Sequence, residues 1–343
     1  ITEYRAGPGG QIETVSRGTA TTPLDRPLPQ GSYLLVLHAD GRGEVRYPIV
    51  AHRGEHLALD LDLPPAGAVP AGFVYVAPGR FRFGSSDAST TREHLVAPPQ
   101  REVRLAAFII ARTETTFGDY LAFLDTLAPG EAERRRPQSG SLGPQGSISL
   151  RRAGKIWTLT MQPTSESYTA PAGQPIAYRG RTSRQSQDWR RMPVVGISTD
   201  DIDAYVAWLD ATGRVPGARL CDEQEWERAA RGADGRAFPH AQRLEPGEAN
   251  VEGTYLDPAG YGPDEVGMHP TSRSPFGVDD MAGNVFEMTR SVFGARDAVV
   301  ARGGAFAYFP RASHSALRET LSGEVRDITL GFRVCADWSW AEP

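Results

Sequence analysis

The sequence is short of the residues that several common chemistries require. Two cysteines, Cys221 and Cys335, in 343 residues are too few for a disulfide scaffold and lack the close spacing of a structural zinc site; both are read as small buried hydrophobes. No apolar run approaches the roughly 18 residues that a membrane-crossing helix needs, so membrane insertion is not expected. Positive charge is not in excess: Lys+Arg 37 against Asp+Glu 42 leaves −5, which recommends neither nucleic acid nor an anionic membrane as partner. Aromatic residues make up only 9%, whereas Gly 37 and Pro 27 are plentiful, a balance that favours loops and turns over a helix bundle. What is present, 40% hydrophobic residues, supports a packed core of one large or two ordinary domains. The chain starts at Ile1 with neither Met nor a signal-peptide pattern, so a cytoplasmic fragment of a longer protein is expected.

Short β-rich runs at Ser32–Leu37, Glu44–Val50 and His56–Leu63 are separated by turn signals, with Asp40-Gly41 suited to a hairpin. The stretch from Pro64 to Pro70 has linker composition. A small β-sandwich over residues 1–67 and a second domain over 68–343 are therefore expected. Beyond the linker, three helices announce themselves by their caps: Thr115 or Thr116 before Phe117, Tyr120, Leu121 and Leu124; Ser198 or Thr199 before Ile202, Tyr205, Val206 and Leu209; and Asp222 with Glu225 before Trp226 and Ala229. Strands punctuated by such helices indicate an α+β class. Residues 130–191, rich in Arg, Ser, Gly and Pro with one strand at Lys155–Met161, read as a long surface insertion. Its Arg134–Arg136 and Arg151-Arg152 lack interleaved aromatics and read as solvated charges. Gly140–Gly146 lacks the Gly-Lys-Ser/Thr ending of a phosphate loop.

Several ordered blocks carry a family likeness: FVYVAPGRFRFG from Phe73, TETTFGDY from Thr113, PVVGIS from Pro193, RLCDEQEWERAARG from Arg219, FGVDDMAGNVFE from Phe276, RGGAF from Arg302 and LGFRV from Leu330. Together they resemble the formylglycine-generating-enzyme or sulfatase-modifying-factor family, which implies an irregular C-type-lectin-like fold. The segment Thr22–Leu63 resembles a PEGA-like module, and the pairing resembles the C-terminal regions of some bacterial Hanks-type serine/threonine kinases. The chain itself has no kinase catalytic motif.

The family's oxidising members hold copper through two thiolates shortly after the Arg-Gly-Gly block. Here Tyr308 stands near the first thiol position and Ser313, His314 and Ser315 lie in the region of the second, so no copper is expected. A sulfoxide-synthase-like iron site would need a histidine cluster; His52 and His56 lie in the small module, and His38, His94, His240, His269 and His314 are scattered. The resemblance does imply structural calcium, with Asp280, Gly283, Val285 and Glu287 at one position and Asn250, Val251 and Asp257 at another. Alternatively these residues fix their loops by hydrogen bonds without metal. Phe306, Tyr308, Phe309, Arg311 and His314 lie where catalytic relatives form their cleft, and serve either as a binding hot spot or as core. The expected function is a non-catalytic sensor or recognition region of a bacterial signalling protein, binding a protein, peptide or small molecule. The alternative is a metal-dependent oxidase or hydroxylase using non-cysteine ligands.

Overall fold

The computed structural model describes residues 1–139, 146–293 and 298–338. The Gly140–Gly146 stretch, apart from Gly146, lies outside the described residues. Two strands that the sequence pattern did not announce, β1 (Thr2–Ala6) and β2 (Ile12–Ser16), form a hairpin around Gly9 and Gly10, both with positive φ. They join β3 (Gly31–Leu37) and β4 (Val45–Ala51) in an antiparallel sheet of order β2-β1-β3-β4. Gly41, at φ 69°, turns the β3–β4 connection, as Asp40-Gly41 suggested. The third anticipated strand, His56–Leu63, is not one: it pairs with no strand among the described residues, and Leu57, Leu61 and Leu63 pack against the core. Alternation there reports one buried face without a ladder partner among the described residues. Tyr33, Val45, Tyr47 and Ile49 of this sheet enter the main hydrophobic core, and Ser32 Oγ donates to Asp234 Oδ2 at 2.6 Å. The linker is held to the β3–β4 connection by Gly43 N to Pro64 O and Ala66 N to Gly41 O bonds of 2.8 and 2.9 Å.

Next come β5 (Phe73–Val76), β6 (Gly79–Phe83), a short helix α1 (Ser89–His94), β7 (Arg101–Leu105) and β8 (Phe108–Ala111). β6 and β7 form a two-stranded ribbon. Helix α2 (Phe117–Leu124) opens with a reciprocal capping box between Thr116 and Asp119 and buries Phe117, Tyr120, Leu121 and Leu124; α3 (Pro129–Arg135) follows. The insertion is not a solvated loop. β9 (Ser147–Ala153), β10 (Ile156–Gln162) and β11 (Tyr168–Pro171) form a three-stranded sheet, and β12 (Ile176–Ala177) and β13 (Ser186–Gln187) pair beyond it. Ile148, Leu150, Trp157, Leu159, Met161, Tyr168, Tyr178 and Trp189 from this region are all buried. Arg134 and Arg135 pair with Glu131, Arg136 with Glu133, and Arg152 stacks over Trp157 with its Nη1 3.3 Å from Asp125.

Helix α4 (Thr199–Ala211) is capped by Ser198 and Asp201 and ends before Gly213 at φ 68°. After β14 (Ala218–Leu220), helix α5 (Glu223–Arg231) starts from the Asp222–Glu225 capping box and stops at Gly232, φ 77°. The remaining strands are β15 (Phe286–Arg290), β16 (Val299–Arg302), β17 (Glu319–Leu321), β18 (Leu330–Phe332) and β19 (Val334–Asp337). They build two four-stranded sheets, β14-β19-β8-β5 and β17-β16-β15-β18, the latter with β15 and β18 parallel. Mostly sheet with few helices, the architecture is mixed α and β. Cys221 and Cys335 are joined by a disulfide inside the core formed by Val76, Phe108, Ile110, Trp226 and Phe276, which corrects their reading as unlinked hydrophobes. Among the described residues no helix is long and apolar enough to cross a membrane.

Candidate functional site

The loop before β15 and the end of β16 meet over α5. Trp226 of α5 donates its indole N–H to Glu287 Oε2 at 2.7 Å, and Arg333 grips the same carboxylate with Nε to Oε2 and Nη2 to Oε1 bonds of 2.5 and 2.6 Å. All three side chains are buried. One helical position along, Glu227 pairs with both Arg231 and Arg302 in the interior and accepts from Gly84 N. The bidentate Glu287–Arg333 pair fixes β15 against the β18–β19 connection, and the Glu227–Arg302 pair ties α5 to β16, while both balance buried charge.

Residues 280–284 reach β15 through two left-handed non-glycine residues, Asp280 (φ 56°) and Asn284 (φ 63°). Gly283, φ 76°, packs against Asn250, where any Cβ would come within 2.5 Å of its carbonyl oxygen. Asp280 Oδ2 accepts from Gly267 N at 2.5 Å, and burial pushes its carboxyl up to about 6. Asn284 donates to Glu114 Oε1 at 3.0 Å and accepts from Asn250 Nδ2 and Asp264 N. Burial, then the nearby Asp280 carboxylate, raises the Glu114 carboxyl well above its ordinary range.

Asp280, Gly283, Val285 and Glu287 do lie on one buried turn and strand start. Both oxygens of Glu287 are already engaged, however, and the positive charge beside it is Arg333. That donor set does not fit a calcium ion as the side chains stand. At the second position Asn250 and Val251 are buried while Asp257 is exposed, capping a short turn by accepting from Ala259 N; the structure does not bring it to Asn250. Through Asn284, Asn250 is linked to the Glu114 carboxylate and, at the backbone, to the buried acid Asp264. Its cation is Arg181: Nη1 reaches Asp264 Oδ1 at 2.5 Å, Nε and Nη2 donate to the Gly260 and Gly262 carbonyls, and the guanidinium lies 3.5 and 3.8 Å from the Tyr178 and Tyr255 ring centroids. Here too a guanidinium occupies the oxygen-rich position.

Sequence reasoning missed this buried group, which also includes His269 Nε2 at 2.8 Å and Tyr255 OH at 2.7 Å from Asp264 Oδ2. Arg181 stood in a stretch of exposed-looking arginines, and nothing local marked it as interior. His52 and His56 are exposed, outside any ladder. Among the described residues, no group of three or more His, Cys, Asp or Glu side chains is placed to hold a metal ion.

The five residues proposed for the cleft separate in space. Phe306 is core. Tyr308 (45% exposed) and Phe309 (66% exposed) stand outward with Arg311 on the turn at Pro310–Ser313, Tyr308 packing edge-on against Phe286 at 4.9 Å. Gly304, φ 77°, permits this turn to fold back: a Cβ there would come within about 2.3 Å of Ser313 Oγ. Ser313 and Ser315 are buried, whereas His314 faces Phe238, with ring centroids 5.7 Å apart, and accepts at Nδ1 from Ala316 N.

Burial first, and then the positive charge of Arg231, push the His314 imidazole down to about 4 from 6.5, against the opposing pull of Asp87. A neutral folded-state histidine gives stability that is complete above pH 6.5 and is lost as the pH falls from there toward 4, because the unfolded chain takes up the proton first. The size is at most about 3 kcal/mol. Urea titrations between pH 7.5 and 4 should show that slope reduced in His314→Asn, whose amide oxygen can keep the Ala316 bond; an unchanged slope would assign it to other groups.

The profile of the sulfatase-modifying factor enzyme 1-like domain matches residues 62–338. The chain belongs to this family. Within it, the inactive C-alpha-formylglycine-generating enzyme 2 of Mus musculus is 33% identical over 159 residues, 42% of this chain and 49% of that protein. Hercynine oxygenase of Mycobacterium tuberculosis is 28% identical over 275 residues, 70% of this chain and 55% of the other. A serine/threonine-protein kinase, pkn1 of Chlamydia pneumoniae, is 29% identical over 107 residues, 31% of this chain and 15% of the kinase. The structure of PvdO from Pseudomonas aeruginosa superposes with a TM-score of 0.55 at 24% identity, covering 78% of this chain and 94% of PvdO, a likeness of fold alone. The chain spans about half the length of the first curated relatives it matches.

Proposed function

We propose that this family member is a non-catalytic recognition module that binds a protein, peptide or small molecule through the surface bearing Tyr308, Phe309 and Arg311. The observation that carries the reading is the fate of its thiols. Cys221 and Cys335, the chain's two cysteines, are consumed by one buried disulfide, and Tyr308 with Ser313 to Ser315 stands on the segment where copper-using members carry thiolates. A phenol and hydroxyls cannot replace a dithiolate Cu(I) site. Relatives named inactive agree with this reading. Exposed aromatic rings beside an arginine are the residue types that binding hot spots use.

We also propose finer assignments. Membership of a bacterial kinase-associated signalling chain is supported by the resemblance to pkn1 over 107 residues. The C-type-lectin-like classification and the PEGA-like identity of the first sheet rest on the sequence resemblance. That sheet would act as a docked spacer, since its inner face shares the core of the domain behind it. Location is better assigned to an oxidising compartment than to the cytoplasm, because buried disulfides are rare in reducing ones. The second reading, a metal-dependent oxygenase, draws on the hercynine oxygenase likeness; the histidines scattered in sequence, and the lack of three converging candidate ligands among the described residues, weigh against it.

The test is twofold. Incubation with a cysteine-bearing sulfatase-type peptide, copper, oxygen and reductant should leave the peptide mass unchanged; turnover above a protein-free control overturns the non-catalytic reading. Tyr308→Ala and Arg311→Ala should then abolish capture of a selected peptide partner with little change in melting temperature, whereas loss of stability first would return these residues to a packing role.

A further inference from the structure

The β6–β7 ribbon buries Phe81 and Phe83 on one face and carries Arg80, Arg82, Glu102 and Arg104 on the other. The register sets Arg80 directly opposite Arg104 and Arg82 opposite Glu102. Like charges placed directly across a ladder destabilise it unless something neutralises them. Arg80 is matched, by Glu55 and more distantly by Glu102 at 3.9 Å. Arg82 and Arg104 have no carboxylate within ion-pair distance among the described residues, although the chain as a whole is acidic.

A cavity of about 140 Å³ is lined by Arg80, Arg82, Arg104 and Glu102 of this face together with Ile49 and Val50 of β4, His52, and Leu57 and Leu59 of the segment after it. Leu59 is 38% exposed. Three guanidinium groups against one carboxylate, with aliphatic side chains in the same lining, describe a site for an amphiphilic ligand.

We propose that this cavity binds a small organic anion, a carboxylate or phosphate on a short apolar stem, with Arg82 and Arg104 receiving the anion and Ile49 and Leu57 the stem. Guanidinium groups suit either oxyanion, because their planar donors match both geometries. The walls come from the N-terminal sheet and from the family domain, so an occupant bridges the two and stabilises their docking. The cavity is distinct from the Tyr308 surface, and either assignment can fail without the other.

Thermal unfolding and calorimetric titration of the whole chain with hexanoate, hexyl phosphate, hexanol and inorganic phosphate test the proposal. At least one of the two anionic amphiphiles should bind and raise the melting temperature by about 2 °C or more near saturation, while uncharged hexanol should not. The stronger of the two identifies the headgroup. Arg82→Gln with Arg104→Gln should weaken that binding by about tenfold or more, the loss expected for a charge-assisted contact, without lowering the probe-free melting temperature. Inorganic phosphate binding as tightly as hexyl phosphate would overturn the role of Ile49 and Leu57. Absence of binding by both amphiphiles at millimolar concentration, or equal binding by the double variant, would overturn the site.

Discussion

Replacing Cys221 and Cys335 together by alanine is expected to cost about 3–5 kcal/mol of unfolding free energy, among the largest effects available in this chain. The bond closes a loop with a sequence separation of 114 residues, and a cross-link of that span removes much of the freedom of the unfolded chain. It also fastens the end of β14, just before α5, to β19, where Arg219 and Cys335 are register partners. Both sulfurs sit in closed core, so truncation adds a packing loss to the entropic one. Urea unfolding of the parent, the parent with reductant and the double variant supplies the comparison. The parent should yield no reactive thiol when denatured without reductant. Two titratable thiols there, or a double variant as stable as the parent, would remove the bond and with it the argument for an oxidising compartment.

That bond was invisible in the sequence for a physical reason: pairing across such a distance depends on strand order, which spacing does not encode. Features decided within a few residues were legible. Asp222 with Glu225 forms the reciprocal cap that its spacing implied, and of the alternative caps offered for the other two helices the structure selects Thr116, closed by Asp119, and Ser198, closed by Asp201. The insertion failed the same kind of reading. Ile148 and Leu150 sit among Ser, Gly and Arg, and Tyr168–Pro171 has no period of its own; each strand gains its identity from the neighbour it pairs with, seen in the Leu159–Leu150 and Leu159–Ala170 partners. Family blocks placed Asp280 and Glu287 on one structural feature. They could not reveal that Arg333 and Arg181 supply the positive charge, because which carboxylate a buried arginine meets is settled only by tertiary packing.

Glu287→Ala should destabilise the protein by about 3–5 kcal/mol, since it leaves the Arg333 guanidinium buried without its carboxylate. The Trp226 indole N–H loses its acceptor at the same time. Removing both charges in a Glu287→Met, Arg333→Met pair should cost clearly less than the sum of the single changes, because a buried ion pair repays its own desolvation only incompletely. Calcium separates this account from the metal-binding alternative. If Arg333 is the partner, chelator and added calcium leave the parent's melting temperature where it was, and Glu287→Ala loses the same stability in either condition. If calcium is the partner, added metal stabilises the parent by mass action, chelation removes that gain, and Glu287→Ala abolishes the difference. The double-mutant cycle then serves as an independent check: strong coupling between Glu287 and Arg333 without any metal response fixes the guanidinium as the cation of this loop, whereas additive costs with a calcium response reverse the assignment.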